Sequence, residues 1–155
     1  MLRFAVCAFL EDLALGSELD RGALPLHVTL FPPSTTEADQ GQLEAALEHV
    51  LAQFGPFEAA GGDDELFGAR RDVEVTLVED EGSLAAAHVG LVRALSPLGV
   101  RVPDPAHVGR GYRPHVTVTA EGDRIERGER IELDAVALLL DEGGVWRVAA
   151  QLPLI

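Results

Sequence analysis

Two short stretches decide the reading of this chain: Leu26-His27-Val28-Thr29-Leu30-Phe31 and Tyr112-Arg113-Pro114-His115-Val116-Thr117-Val118. Each holds the tripeptide His-Val-Thr inside a β-branched, apolar run of the kind that forms strands. Side chains alternate faces along a strand. His27, Thr29 and Phe31 therefore project to one side, and Leu26, Val28 and Leu30 to the other. Likewise His115 and Thr117 share a face opposite Val116 and Val118. Each stretch thus offers an imidazole and a hydroxyl above an apolar underside, and the doubling points to one site made of two matched halves.

Working outward, residues 2–10 read as a strand that begins the core. A Gly-rich acidic loop, Glu11 to Gly22, leads to the first motif strand, which Pro32-Pro33 is expected to end. A helix capped by Thr35 or Thr36 follows, with Leu43, Ala46, Leu47, Val50, Leu51 and Phe54 at helical spacing, and Gly55-Pro56 closes it. Phe57 to Phe67 reads as a strand broken by a turn at Gly61-Gly62-Asp63-Asp64, and Asp72 to Val78 alternates as a half-buried strand. Ser83 is the expected cap of a second helix carrying Leu84, Ala87, Leu91, Val92 and Leu95. A Pro/Gly-rich loop, Pro97 to Gly111, precedes the second motif strand. Two more strands, Arg130 to Leu140 and Val145 to Leu152, flank a turn at Asp141 to Gly144. The pattern predicts an α+β fold in which residues 1–155 form a single bilobal domain.

Composition narrows the partners. The formal net charge is -14, and all 12 basic residues are Arg. Nucleic-acid binders of broad footprint need a basic surface that displaces counterions, so duplex nucleic acid is not an expected partner. The one cysteine, Cys7, rules out an intrachain disulfide and a cysteine-built metal site; it reads as a buried core thiol in a reducing, cytoplasmic setting. Apolar runs are too short for a membrane span, and the N-terminus reads as a first strand rather than a secretion signal. No nucleotide-binding P-loop occurs, no ligand-spaced carboxylate or histidine flanks either motif, and a monomer without metal or cofactor is expected.

The two quoted stretches, 88 residues apart (115 − 27), resemble the paired H-x-[ST]-x motifs of the 2H phosphoesterase superfamily, which includes bacterial RNA 2',3'-cyclic phosphodiesterases, also called 2'-5' RNA ligases. Tyr112-x-Pro114-His115-Val116-Thr117 is the more specific half. The resemblance implies two pseudo-symmetric lobes, each an antiparallel sheet with outer helices, around a central cleft. It implies His27 as proton donor to the leaving oxygen, His115 as the base that activates water, and Thr29 and Thr117 as holders of the phosphate oxygens. Two departures stand out. Thr119, Ala120 and Glu121 follow the second motif where many RNA-acting members carry a basic residue, and Phe31-Pro32-Pro33 replaces the usual apolar-Gly sequence after the first.

Two imidazoles suit this chemistry because an ordinary pKa near ~6.5 lets one act as base and the other as acid near neutral pH. Further binding candidates are Phe31, as a base-stacking ring, Tyr112, and the cations Arg113 and Arg110. His88, on the apolar stripe of the second helix, reads as a core or boundary residue, and His107 as a loop residue with a rim role as the lesser alternative. The leading expectation is hydrolysis of a 2',3'-cyclic phosphate on an RNA end or nucleotide, reversible as 2'-5' ligation. The alternatives are a non-catalytic module binding nucleotides or RNA ends, and a phosphodiesterase for a small cyclic-phosphate metabolite.

Overall fold

The computed structural model describes residues 1–155. Its strands are β1 (Leu2–Phe9), β2 (Glu18–Asp20), β3 (His27–Thr36), β4 (Phe57–Phe67), β5 (Val73–Glu79), β6 (His115–Thr117), β7 (Arg130–Leu133), β8 (Ala135–Glu142) and β9 (Val145–Pro153), with helices α1 (Gln40–Leu51) and α2 (Ser83–Leu95). All nine strands join one sheet in the order β2-β9-β8-β1-β3-β6-β5-β4-β7, and every pairing in it is antiparallel. The α+β class and the two-lobed layout are as expected: β2, β9, β8, β1 and β3 make one half, and β6, β5, β4 and β7 the other.

The continuous apolar run of β1 has a direct cause. Phe4, Val6 and Ala8 enter the main core beneath the helices. Ala5, Cys7 and Phe9 enter a smaller cluster on the opposite face, with Ala137, Leu139, Trp146 and Val148. A strand covered on both faces loses the polar alternation of a half-exposed one. The loop after β1 supplies that second cover through Leu13, Leu19 and Leu24, and it contains the short strand β2, which its acidic composition did not disclose.

On the helical side, α1 buries Leu43, Leu47, Val50 and Leu51, and α2 buries Leu84, Ala87, His88, Leu91 and Leu95. Each fully buried leucine contributes about 1.5–3 kcal/mol relative to an exposed one. Gly90 lets the helices approach, because a Cβ there would lie 2.9 Å from a Val50 methyl.

Several local expectations need correction. The cap of α1 is Asp39, whose carboxylate accepts from the Gln42 N–H at 2.8 Å while Gln42 accepts from the Asp39 N–H at 3.0 Å; Thr36 instead donates to the Leu98 carbonyl. Gly82 rather than Ser83 occupies the cap of α2, and Asp80 supplies the acceptor, taking the Leu84 N–H at 2.8 Å. The predicted strand from Arg130 to Leu140 is two strands: β7 pairs with β4 in one half, and β8 with β1 in the other.

Pro32-Pro33 does not end β3. From Cys7 to Phe4 β1 advances three residues, while β3 advances five, from Thr29 to Ser34. The prolines fall in this bulged stretch, where the ladder is already interrupted and no N–H is missed. Nor does Gly61-Gly62-Asp63-Asp64 form a turn; β4 runs through it with a register shift against β5. The glycine there serves a close approach instead. The Gly61 N–H donates to the Glu129 carbonyl and the Gly128 N–H to the Gly61 carbonyl, and a Cβ on Gly61 would lie 2.1 Å from the Glu126 carbonyl oxygen. Gly61→Ala must push this loop off the strand and is expected to destabilise the fold by about 1–3 kcal/mol, read as a lower urea midpoint; an unchanged midpoint would contradict the contact.

Candidate active site

The two halves of the sheet meet through a single residue pair between β3 and β6, Val28 against Val116. Both valines point into the main core, at 0% and 1% exposure. Alternation then forces the flanking residues, His27 and Thr29 on β3 and His115 and Thr117 on β6, onto the opposite face. In this antiparallel register His27 stands level with Thr117, and Thr29 with His115. The two histidines lie on the diagonal of the pair, where neighbouring residues stand about 7–8 Å apart and their Cβ atoms somewhat closer.

Each imidazole is held in the same way. His27 Nδ1 lies 2.8 Å from the Pro25 carbonyl, and His115 Nδ1 lies 2.8 Å from the Arg113 carbonyl. A carbonyl only accepts, so Nδ1 carries the hydrogen in both rings. Nε2 of each is left without a protein partner, and neither is a sealed-off buried atom. Each ring also rests against a phenylalanine: Phe9 is 5.3 Å from His27, and Phe67 meets His115 edge-on at 4.6 Å, centroid to centroid.

Burial lowers the pKa of both histidines below the ordinary 6.5, against the opposing pull of the carbonyl bonds. His115 is depressed further by the positive potential of His107, His27 and Arg113. Beneath Thr29, burial pushes the Cys7 thiol up to about 12, which keeps it protonated and unreactive.

A cleft of about 420 Å³ opens beside Thr29 and His115, lined also by Tyr112, Arg113, Arg3, Pro32, Pro33, Pro103, Asp104, His107 and Val108; His27 and Thr117 are not among its lining residues. Phe31 is not in it. The first bulge in β3 reverses the alternation after Thr29, so Phe31 turns into the core at 3% exposure and stacks on Phe4 at 6.0 Å; the sequence-based expectation of a base-stacking ring is corrected on that ground. Arg113 reaches the cleft wall, but both its terminal nitrogens grip Glu65 at 2.9 and 2.5 Å while the guanidinium lies over Phe67. Arg110 sits exposed in the 3-10 turn Gly109–Gly111, and the cleft lining does not include it. Tyr112 lines the cleft and donates its hydroxyl hydrogen to the Thr29 carbonyl at 2.8 Å.

Sequence reasoning missed Phe67, Arg3 and Asp104. The alternation of β4 was the one available signal for Phe67, which shares a face with Glu65. Arg3 stood inside an apolar run that hid it. His107 lines the cleft, the lesser of its two sequence readings, and stacks on Phe67 at 4.9 Å.

His88 is fully buried and its pKa is likewise lowered by burial. Histidines depressed in the folded state bind fewer protons than in the unfolded chain. The stability linked to them is therefore held above about pH 6.5 and lost as pH falls below it toward the folded values. Imidazole NMR titration is expected to give midpoints below 6.5 for His27, His88 and His115; a midpoint above 7 for any of them would contradict the burial.

The model of the 2'-5' RNA ligase superfamily matches residues 4–148. Among solved structures, the chain is similar to TT0787 of Thermus thermophilus, at 19% identity and a TM-score of 0.64 over 98% of this chain and 97% of the other. It is similar to E. coli LigT complexed with 3'-AMP at 16% identity and a TM-score of 0.60, over 99% and 98%. No curated protein matches it. With the family match running through both His-Val-Thr strands and nearly the whole chain, this protein belongs to the 2'-5' RNA ligase superfamily, the 2H phosphoesterases.

Proposed function

We propose that this protein opens 2',3'-cyclic phosphates on nucleotides or RNA ends by acid–base catalysis between His27 and His115. The observation that carries the reading is the matched pair of imidazoles, each with Nδ1 tied to the carbonyl two residues back and Nε2 free. A proton-transfer group needs one nitrogen fixed and the other available. The tie fixes the tautomer as well as the ring.

In the reaction, water attacks phosphorus and His115 Nε2 takes its proton. The P–O bond to one ribose oxygen breaks as a new P–O bond forms, and His27 gives its Nε2 proton to the departing oxygen. The extra positive neighbours of His115 favour its neutral form, which supports the role of base. Thr29 and Thr117 hydroxyls stand beside the histidines to receive the non-bridging oxygens, where preorganised donors stabilise developing charge. A 5'-hydroxyl attacking in place of water takes the same steps, its proton passing to His115 and the His27 proton to the departing ribose oxygen, and gives ligation without a nucleotide cofactor. LigT, solved with 3'-AMP, supports a nucleotide-sized ligand in this fold.

A second reading rests on charge. The cleft is near the small end of ligand sites, only Arg3 and Arg113 line it as arginines, Asp104 lines it too, and Arg113 is already engaged by Glu65. This favours a small cyclic phosphate, a mononucleotide or a metabolite such as a cyclic phosphate of ADP-ribose, over a long RNA. Turnover of these three substrate types side by side orders the two readings. A non-catalytic binding module would instead retain the cyclic ligand unchanged.

His27→Ala and His115→Ala are each expected to lower kcat on a 2',3'-cyclic nucleotide by roughly 10²–10⁴-fold with the circular dichroism spectrum unchanged and with EDTA without effect on the wild type. Wild-type turnover in either variant would refute the assignment. The acid partner must hold a proton that its lowered pKa releases early, so kcat/KM should peak on the acid side of pH 6.5 and fall as pH rises; a maximum above pH 7 would argue against these two groups.

A further inference from the structure

His88 lies on α2, outside both motifs, yet it touches the exit of the first and the approach to the second. Its Nδ1–H donates to the Leu30 carbonyl at 2.7 Å, one residue past the His-Val-Thr of β3. Leu30 sits where β3 is bulged and has no partner in the ladder with β1, so this carbonyl depends on a side chain. His88 Nε2 accepts the N–H of Gly109 at 2.8 Å, in the turn that leads into the second motif. The flat face of the ring stacks on Tyr112 at 4.1 Å and 7°, and Tyr112 in turn donates to the Thr29 carbonyl. Both nitrogens and one face of a fully buried imidazole are thereby committed, and together they join the end of the first motif to the lead-in of the second.

Such a brace has a reason to exist. The motif strands share one bridging pair, Val28 with Val116, and a single pair leaves the short β6 free to twist against β3. We propose that His88, acting with Tyr112, is a positioning residue that fixes the relative placement of the strands bearing His27 and His115, and so the span across which the two proton transfers must work. The proposal rests on the acid–base assignment made above. His88 never meets the phosphate; it acts through backbone.

Two amide replacements divide its bonds. His88→Asn retains a donor near the Nδ1 position and loses the acceptor for Gly109; His88→Gln retains an acceptor near Nε2 and loses the donor to Leu30. In both, kcat for a 2',3'-cyclic nucleotide is expected to fall ~10- to 100-fold, the scale set by a misplacement of about 1 Å between reacting groups, while KM changes far less. Hydrogen exchange at the Gly109 amide should accelerate in His88→Asn. Tyr112→Phe, which deletes one hydroxyl, should lower kcat less, and the double variant His88→Asn/Tyr112→Phe should lose less than the product of the single losses. Folded variants with wild-type kcat, or a kcat loss that only tracks the unfolded fraction, would overturn the proposal. If the His88 variants do not fold, an unchanged kcat in Tyr112→Phe overturns it alone. Activity surviving in His27→Ala or His115→Ala would instead defeat the underlying assignment, whatever His88 does.

Discussion

The pairing of Val28 with Val116 is the constraint on which the rest depends. Because both side chains enter the core, the four polar residues around them have no choice of face. Hydrophobic burial beneath the sheet thus orients the polar groups above it. A one-residue slip in either strand would bury the histidines and expose the valines. The register is therefore held by the apolar residues, and the site inherits its geometry from them.

Around that pair the protein repeats one local solution twice. A histidine at the head of a short motif turns Nδ1 back to the carbonyl two residues earlier, leans on a phenylalanine, and leaves Nε2 free. Proline lies at or next to the bonded carbonyl in both copies, at Pro25 and at Pro114 beside Arg113. Its fixed φ limits the ways the chain can enter the strand. What differs is the surroundings. The second copy sits among His107, Arg113 and Phe67, and the first against Phe9 and the buried Cys7. Like geometry with unlike electrostatics is what a pair of groups needs when one must give a proton and the other take one.

Much of this was legible in the residues. Alternation placed His27, Thr29, His115 and Thr117, and helical spacing found both helices and the burial of His88. The failures share one physical cause, which is that pattern reading assumes an unbroken ladder. Phe31 was put on the wrong face because nothing local in Thr29-Leu30-Phe31 announces a bulge. Pro32-Pro33 looked like a stop because the missing hydrogen bonds that make it harmless belong to β1. Gly61-Gly62 looked like a turn because the loop that packs on it, Glu126 to Glu129, is more than sixty residues away. Arg113 looked like a free cation for want of knowing that Glu65 lies across the sheet.

Under the proposed function, the burial of the two histidines would also tie substrate binding to proton uptake. Resting at neutral pH, both rings are uncharged, so the empty cleft holds little positive charge of its own, and its one tightly placed guanidinium is already matched by a carboxylate. A phosphodiester anion bound between the rings, as proposed above, would raise their proton affinity. By reciprocity, a proton raises the affinity for the anion. On the proposed reading, the ligand would draw from solvent the positive charge that an acidic, lysine-free protein does not display, and the site would become cationic only while it is filled.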